Sequence, residues 1–257
     1  MIEIPDGFTG GEVLEDGPFF QVRVAHRAGG RFVLKRLATR VRDVPEARSL
    51  LVREAQVLEA LAGRATPGLA AWGEDHSGPW LVMDHIEGAS LAERMQTEGI
   101  SSDSLRRLAR AALRALATIH SASDEQGFPL GIVHGDLSPN NLLLTGAGGV
   151  IIIDFGLARL RGDGPARGPM RGTLTYMSPE VARGEPATTA SDVFALGASL
   201  LHAATGHVPR QARTEAAMLL LAADVPLDGG PLDALVPGLS AALEISPLAR
   251  PSAEELA

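Results

Sequence analysis

Two segments of this sequence place polar residues directly against apolar ones. The segment IVHGDLSPNNLLL, residues 132–144, carries Asp136 and Asn141 between apolar stretches, and VIIID ends in Asp154. Carboxylate and amide oxygens are the ligands that Mg²⁺ prefers, usually together with substrate phosphates. Each segment alone is also typical of a turn that ends a strand. Taken together, they predict an oxygen-rich cluster suited to magnesium and phosphate chemistry.

Two charged residues fall within apolar faces in the first part of the chain. Lys35 shares one face of the predicted strand FVLKRL with Val33, and Glu54 lies on the apolar face of a predicted helix. A charge in an apolar stripe needs a partner, so we expect Lys35 and Glu54 to pair. The alternative is that each long side chain reaches separately to water.

The elements that would position these residues change in character near residue 88. Before it, FFQVRVAHR and GGRFVLKRL predict a hairpin, a helix begins at Pro45, and two further strands follow. After it, SLRRLARAALRALATIH predicts an amphipathic helix, NLLL and GVIIID predict short strands, and the chain from Thr188 is mostly helical. We therefore expect an α+β fold with a small β-rich lobe over 1–87 and a larger helical lobe over 88–257.

Composition narrows the class of protein. The chain has 257 residues, 45% of them hydrophobic, which is enough for one large domain with a buried core. A formal charge of −8 argues against nucleic acid as a partner. There are no cysteines, so disulfides and cysteine-ligated metals are excluded. No apolar run is long enough to span a membrane. We expect a cytoplasmic protein or the cytoplasmic domain of a longer one.

The ordered set of motifs resembles the eukaryotic-type protein kinases, in particular bacterial serine/threonine kinases. Lys35, Glu54, HGDLSPNN and DFG occur in the order and at the spacings of that family. Downstream, GTLTYMSPE resembles the segment that docks the protein substrate, and DVFALG resembles the start of the central helix of the large lobe. SPLARPSAEEL resembles the late segment whose arginine, here Arg250, pairs with a glutamate, here Glu180. The resemblance implies a bilobal fold with a five-stranded sheet and a helix in the first lobe, and a domain that stops within its last helix.

The resemblance also implies roles for individual residues. Lys35 would hold the α- and β-phosphates of ATP, and Glu54 would hold Lys35. Asp136 would accept the proton of the substrate hydroxyl, while Asn141 and Asp154 would bind Mg²⁺. The residues expected around the nucleotide are Gly17, Val22, Val33, Met83 as gatekeeper, Asp84 and Ile86 of the hinge, and Leu143.

The chain departs from the family pattern in its glycine-rich loop and beside Asp136. In EDGPFFQV only Gly17 remains, because Glu15 and Phe20 replace glycines that let main-chain N–H groups approach phosphates. HGD in place of HRD is also typical of small-molecule phosphotransferases of this fold. Three functions therefore stay open: an active serine/threonine protein kinase, which we favour, a noncatalytic kinase-like scaffold, and a small-molecule kinase.

The predicted activation loop, residues 157–171, contains no serine, threonine or tyrosine. The arginine that normally receives a loop phosphate is replaced by Gly135. We therefore expect activity without loop phosphorylation, and Thr173 is expected to be a structural residue that bonds Asp136. The loop instead carries four arginines that could face an acidic protein substrate: Arg159, Arg161, Arg167 and Arg171.

Overall fold

A computed structural model describes residues 4–97, 99–163 and 173–257. The chain divides into two units: residues up to Glu87 together with Asp154–Gly156 form the first, and Gly88–Ile153 with Leu157–Ala257 form the second. The short return of the chain to the first unit carries Asp154. The expected α+β fold, with β-strands in the N-terminal part and helices in the C-terminal part, is confirmed.

The first unit is a five-stranded antiparallel sheet in the order β1-β2-β3-β5-β4, with one long helix, α1. Its elements are β1 (Thr9–Asp16), β2 (Phe20–Arg27), β3 (Gly30–Leu37), α1 (Pro45–Leu61), β4 (Leu69–Asp75) and β5 (Gly78–Asp84). The hairpin between β2 and β3 turns through Ala28 and Gly29, whose φ angles are 48° and 80°. Two left-handed residues are the signature of the type I′ turn, whose twist matches that of the flanking strands. Gly30 already belongs to β3.

Helix α1 begins at Pro45 and ends at Leu61, and the residue that caps it, Ala62, is left-handed with φ of 48°. Proline suits the first position of a helix because its missing N–H would have no partner there. The apolar face of α1 buries Leu51, Val57 and Leu58. A separate core cluster of Phe8, Ala25, Leu34 and Val82 lies among the strands. Both layers hold β3, and hence Lys35, in a fixed position.

The second unit is built mainly of helices, with one small sheet. The sheet has the order β6-β7-β8, formed by β6 (Gly88–Ser90), β7 (Leu142–Thr145) and β8 (Val150–Ile152). The helices are α2 (Leu91–Thr97), α3 (Ser102–His120), α4 (Pro179–Ala182), α5 (Thr189–Thr205), α6 (Glu215–Asp224), α7 (Gly230–Asp233) and α8 (Ala253–Leu256). Short 3-10 turns at Pro139–Asn141 and Leu174–Tyr176 carry the polar loop and the docking segment. Among the described helices, none is long and apolar enough to cross a membrane.

Candidate active site

Lys35 lies at the centre of a charged cluster in the first unit. Its Nζ donates to Glu54 Oε2 at 2.7 Å and to Asp154 Oδ1 at 2.8 Å. Lys35 is 6% exposed and Glu54 is 1% exposed. Burial alone would lower the pKa of Lys35, but the carboxylates of Glu54 and Asp154 outweigh it and raise that pKa. The structure therefore brings the two charged residues of the apolar stripes together, with a second acid.

Asp154 reaches this cluster through an unusual main-chain conformation. Its φ angle is 66°, in the left-handed region that few residues other than glycine adopt, and in which aspartate is tolerated. Within DFG the residue with positive φ is thus Asp154 and not Gly156. The next residue, Phe155, is fully buried and anchors the turn. The side chain itself is 44% exposed.

Phe20 is a neighbour of Lys35 that the sequence did not indicate. Its ring centre lies 4.5 Å from Lys35 Nζ, in the geometry of a cation–π contact. The turn that carries it is closed by Gly17 N–H donating to Phe20 O at 2.9 Å. Glu15 Oε1 lies 2.5 Å from where a Cβ at Gly17 would stand. The two residues that replace glycines thus bring a ring and a carboxylate to this turn.

The remaining residues expected around a nucleotide divide between the two units. Val22 pairs with Lys35 across β2 and β3, and Val33 pairs with Met83 across β3 and β5. Directly opposed residues project from the same side of a sheet, so these side chains share one face. Main-chain N–H of Asp84 donates to Gly68 O at 2.9 Å and is therefore used within the sheet.

Ile86 and Leu143 are the other two residues expected around a nucleotide. Ile86 is partly buried near the end of the first unit, and Leu143 lies in β7 of the second.

Asp136 and Asn141 are held in one loop of the second unit. Asn141 Nδ2 donates to Asp136 O at 2.8 Å, and main-chain N–H of Thr173 donates to Asp136 Oδ1 at 2.7 Å. Thr173 was expected to contact Asp136, and it does so through its main chain. Main-chain N–H of Ile153 donates to Asn141 O at 3.0 Å, which ties the loop to the chain after β8. The loop therefore fixes the direction of a partly exposed carboxylate.

Asp192 organises this loop from the start of α5, and the sequence analysis gave it no role. Its Oδ2 accepts main-chain N–H of His134 at 2.7 Å, and its Oδ1 accepts that of Gly135 at 2.9 Å. His120 Nε2 lies 3.0 Å from the same carboxylate. Asp192 is 1% exposed within the apolar run DVFALG, and a buried acid in such a run needs partners. That signal could have identified it.

Comparison with known proteins assigns the family. The model of the protein kinase domain matches residues 9–225, most of the chain. The chain belongs to the protein kinase family. It is a serine/threonine kinase catalytic domain of the eukaryotic-like type.

The relatives of this kinase domain are bacterial proteins. It is 34% identical over 197 residues, 75% of this chain and 25% of the relative, to a probable serine/threonine-protein kinase PkwA of Thermomonospora curvata. It is 33% identical over 244 residues to the serine/threonine-protein kinase AfsK of Streptomyces coelicolor, covering 91% of this chain and 29% of that protein. For the serine/threonine-protein kinase PknL of Mycobacterium tuberculosis the identity is 33%, over 72% of this chain and 45% of the relative. The kinase domain thus spans less than half the length of these relatives.

The docking segment of the kinase domain is anchored by a buried ion pair. Arg250 Nη1 and Nη2 each donate to one carboxylate oxygen of Glu180 at 2.7 Å, with side chains 0% and 3% exposed. Burial would raise the pKa of Glu180, but hydrogen bonds from Arg250 and Ser191 lower it to about 2. Arg210, also buried, donates to Met177 O at 2.7 Å. Two arginines therefore hold this segment from inside the unit.

The activation loop of the kinase domain is described only at its start. Arg159 exchanges main-chain hydrogen bonds with Val133 at 3.0 and 2.8 Å, and main-chain N–H of Arg161 donates to Leu130 O at 2.8 Å. Arg161 is exposed. Arg167 and Arg171 lie outside the described residues.

Each of the two residues expected to hold Mg²⁺ presents an oxygen atom of the kind that this ion binds, within its own unit. Asn141 uses its amide nitrogen within the loop, which leaves its Oδ1 as the acceptor, and Asp154 keeps an exposed carboxylate. Within the described ranges, no three His, Cys, Asp or Glu side chains form a metal site. A small number of protein oxygen ligands suits Mg²⁺, because this ion keeps several bound waters and takes phosphate oxygens as further ligands.

Proposed function

We propose that this domain transfers the γ-phosphoryl group of ATP to serine or threonine hydroxyls of protein substrates. The cluster of Lys35, Glu54 and Asp154 is the observation that carries the proposal. A buried ammonium kept charged by two acids is a preorganised partner for phosphate oxygens, and it needs little rearrangement during the reaction. In this role Glu54 is a positioning residue, because it acts through Lys35.

Asp136 acts on the hydroxyl group that accepts the phosphoryl group. The substrate oxygen bonds to the γ-phosphorus, the bond to the bridging oxygen of ADP breaks, and the hydroxyl proton passes to the Asp136 carboxylate. Mg²⁺, bound by Asn141 and Asp154, would neutralise phosphate charge. Thr173 orients the Asp136 carboxylate directly, because its main-chain N–H donates to Asp136 Oδ1. Asp192 orients it indirectly, because its carboxylate accepts the main-chain N–H of Gly135 in the same loop. This chemistry draws on ATP, so we place the domain in the cytoplasm.

We also propose that activity does not require phosphorylation of the activation loop. Residues 157–171 hold no hydroxyl side chain, and the position beside Asp136 is Gly135. Gly135 has φ of 79°, and a Cβ there would lie 2.9 Å from Leu157 O, so an arginine does not suit this main chain. Arg161, exposed near the start of the loop, supports an acidic protein substrate.

A noncatalytic scaffold is the second candidate, and the position of Phe20 favours it. The ring covers Lys35 Nζ, where phosphate oxygens would bind, and Glu15 adds negative charge to the same turn. Nucleotide binding would then require the ring to move. A scaffold would bind Mg-ATP weakly and transfer nothing.

The experiment that separates these functions is substitution of the two aspartates. Asp136→Asn should bind Mg-ATP like the wild type but lose transfer to a general protein substrate by about a hundredfold or more. Asp154→Asn should instead lose the magnesium-dependent thermal shift with ATP. Asp103→Asn, on a side chain 77% exposed, is the matched control and should change neither. An Asp136→Asn variant that transfers phosphate at most of the wild-type rate would refute the assignment.

Independence from loop phosphorylation is tested with the wild-type domain. Protein treated with a phosphatase, which is then removed, should keep its rate. Loss of activity that returns with phosphate on Thr173 or Thr175 would contradict this part of the proposal.

A further inference from the structure

A pocket of the second unit lies beside the loop of Asp136. It is open, with a volume of about 460 Å³, and is lined by α2, by Gly99 and Ile100 after it, by the turn Pro139–Asn140, by the docking segment and by the end of α5. The lining side chains that matter here are Met95, Gln96, Ile100, Asn140, Tyr176 and His202.

This pocket shares one lining residue with the small cavity beside Asp136. Tyr176 lines it and also lines a small cavity of about 20 Å³, whose wall includes Asp136. Asn140 lies in the same loop as Asp136. A peptide whose hydroxyl reaches Asp136 would therefore have its neighbouring residues near Tyr176 and this pocket.

The described residues of the lining are uncharged, although 21% of the chain is Asp, Glu, Lys or Arg. None of these four types occurs among the described residues that line the pocket. Tyr176 Oη lies 2.8 Å from His202 Nδ1, and the two rings stack with centres 6.0 Å apart. Burial, and then His207 nearby, lowers the pKa of His202 and so favours the neutral imidazole. A charged side chain entering here would lose water without gaining a counter-charge.

We propose that this pocket selects an uncharged side chain with an apolar stem, such as glutamine, leucine or methionine, close in sequence to the phosphorylated hydroxyl. The inference rests on the proposed kinase function and adds a specificity to it. Met95 and Ile100 would pack on the stem, while Gln96, Asn140 and His202 offer uncharged polar groups to its tip. Arginine and glutamate at the same position are disfavoured.

The test is a peptide panel in which one position at a time, on either side of the acceptor, is Ala, Gln, Leu, Arg or Glu. At one position at least, Gln or Leu should exceed both Arg and Glu in kcat/KM by about tenfold. Glu98 adjoins the pocket in sequence but lies outside the described residues, so the panel is repeated with Glu98→Gln, which should keep the same preference.

A second arm introduces charge into the pocket. The pair Asn140→Asp and His202→Glu should raise kcat/KM for the arginine peptide, relative to the alanine peptide of the same variant, by about tenfold. Gln126→Glu adds a carboxylate on an exposed loop and should leave that ratio unchanged. Thermal melts identify variants that fail to fold, and in that case Asn140→Asp alone, at an exposed position, carries the test.

The outcomes separate two kinds of failure. A preference for arginine or glutamate, no preference at any position, or an unchanged ratio in the folded variants overturns the pocket assignment while phosphoryl transfer itself stands. No transfer to any peptide or protein overturns the proposed function, and the pocket assignment falls with it.

Discussion

Removing the arginine that anchors the docking segment should destabilise the second unit strongly. In Arg250→Met, the Glu180 carboxylate keeps its buried position but loses two hydrogen bonds of 2.7 Å. The carbonyls of Glu244 and Ile245 lose donors at 2.7 and 3.0 Å as well. Breaking a buried pair by removing one partner costs about 3–5 kcal/mol, which for a domain of this size corresponds to a fall in Tm of roughly 10 °C.

The same pair predicts a dependence on pH. The pKa of Glu180 in the folded protein is about 2, below its ordinary value of 4.5. A lowered carboxyl pKa contributes stability above about pH 4.5 that disappears as the pH falls toward 2, and the difference corresponds to roughly 3 kcal/mol. In Arg250→Met this contribution is absent, because burial of an unpaired Glu180 favours its protonated form. The difference in the free energy of unfolding between the wild type and Arg250→Met should therefore become smaller as the pH falls through this range.

Urea denaturation followed by far-UV circular dichroism measures these differences. Tryptophan fluorescence is unsuitable, because Trp72 and Trp80 both lie in the first unit. The control Arg31→Met breaks an exposed pair with side chains 46% and 66% exposed and should cost less than about 1 kcal/mol. The double variant Glu180→Met/Arg250→Met removes both charges and should recover part of the loss. A single variant within 1 kcal/mol of wild type, or a double variant less stable than the single one, would refute the reasoning.

Two further substitutions test the first unit and the loop of Asp136. Phe20→Gly removes the ring over Lys35, so the KM for ATP should fall several-fold, as expected from the strength of a cation–π contact. A higher or unchanged KM for ATP would show that the ring does not oppose nucleotide binding. Gly135→Ala places a Cβ 2.9 Å from Leu157 O at a φ of 79° and should cost about 1–2 kcal/mol in urea denaturation. Gly146→Ala, where a Cβ meets nothing within 4 Å, is its control, and equal stability of the two variants would contradict the assignment of strain.

The helices and strands could be predicted because local patterns in the sequence indicate them. The periodicity of SLRRLARAALRALATIH predicted α3, the proline at the start of α1 predicted where that helix begins, and alternation predicted the hairpin of β2 and β3. The partnership of Lys35 and Glu54 could be expected for a different reason. Each is a charge in an apolar stripe, and burial leaves few ways to satisfy such a residue.

Other parts of the site depend on geometry that single-sequence patterns do not carry. The left-handed conformation of Asp154 is set by its neighbours in space, since aspartate occurs freely in ordinary turns. The contact of Phe20 with Lys35 depends on where a short hairpin turn bends. The hydrogen bond of Tyr176 and His202 joins residues of a turn and of a later helix, and neither residue is unusual within its own segment.

The attachment of the Asp136 loop to α5 has a consequence for its motion. The amide hydrogens of His134 and Gly135 both point at a carboxylate that is 1% exposed near the beginning of a long buried helix. Such hydrogens reach solvent only when the helix end that carries the acid opens, so their exchange follows the stability of α5 and not that of a surface loop. This stretch of irregular chain thus belongs, on the timescale of minutes to hours, to the same cooperative unit as the interior of the domain.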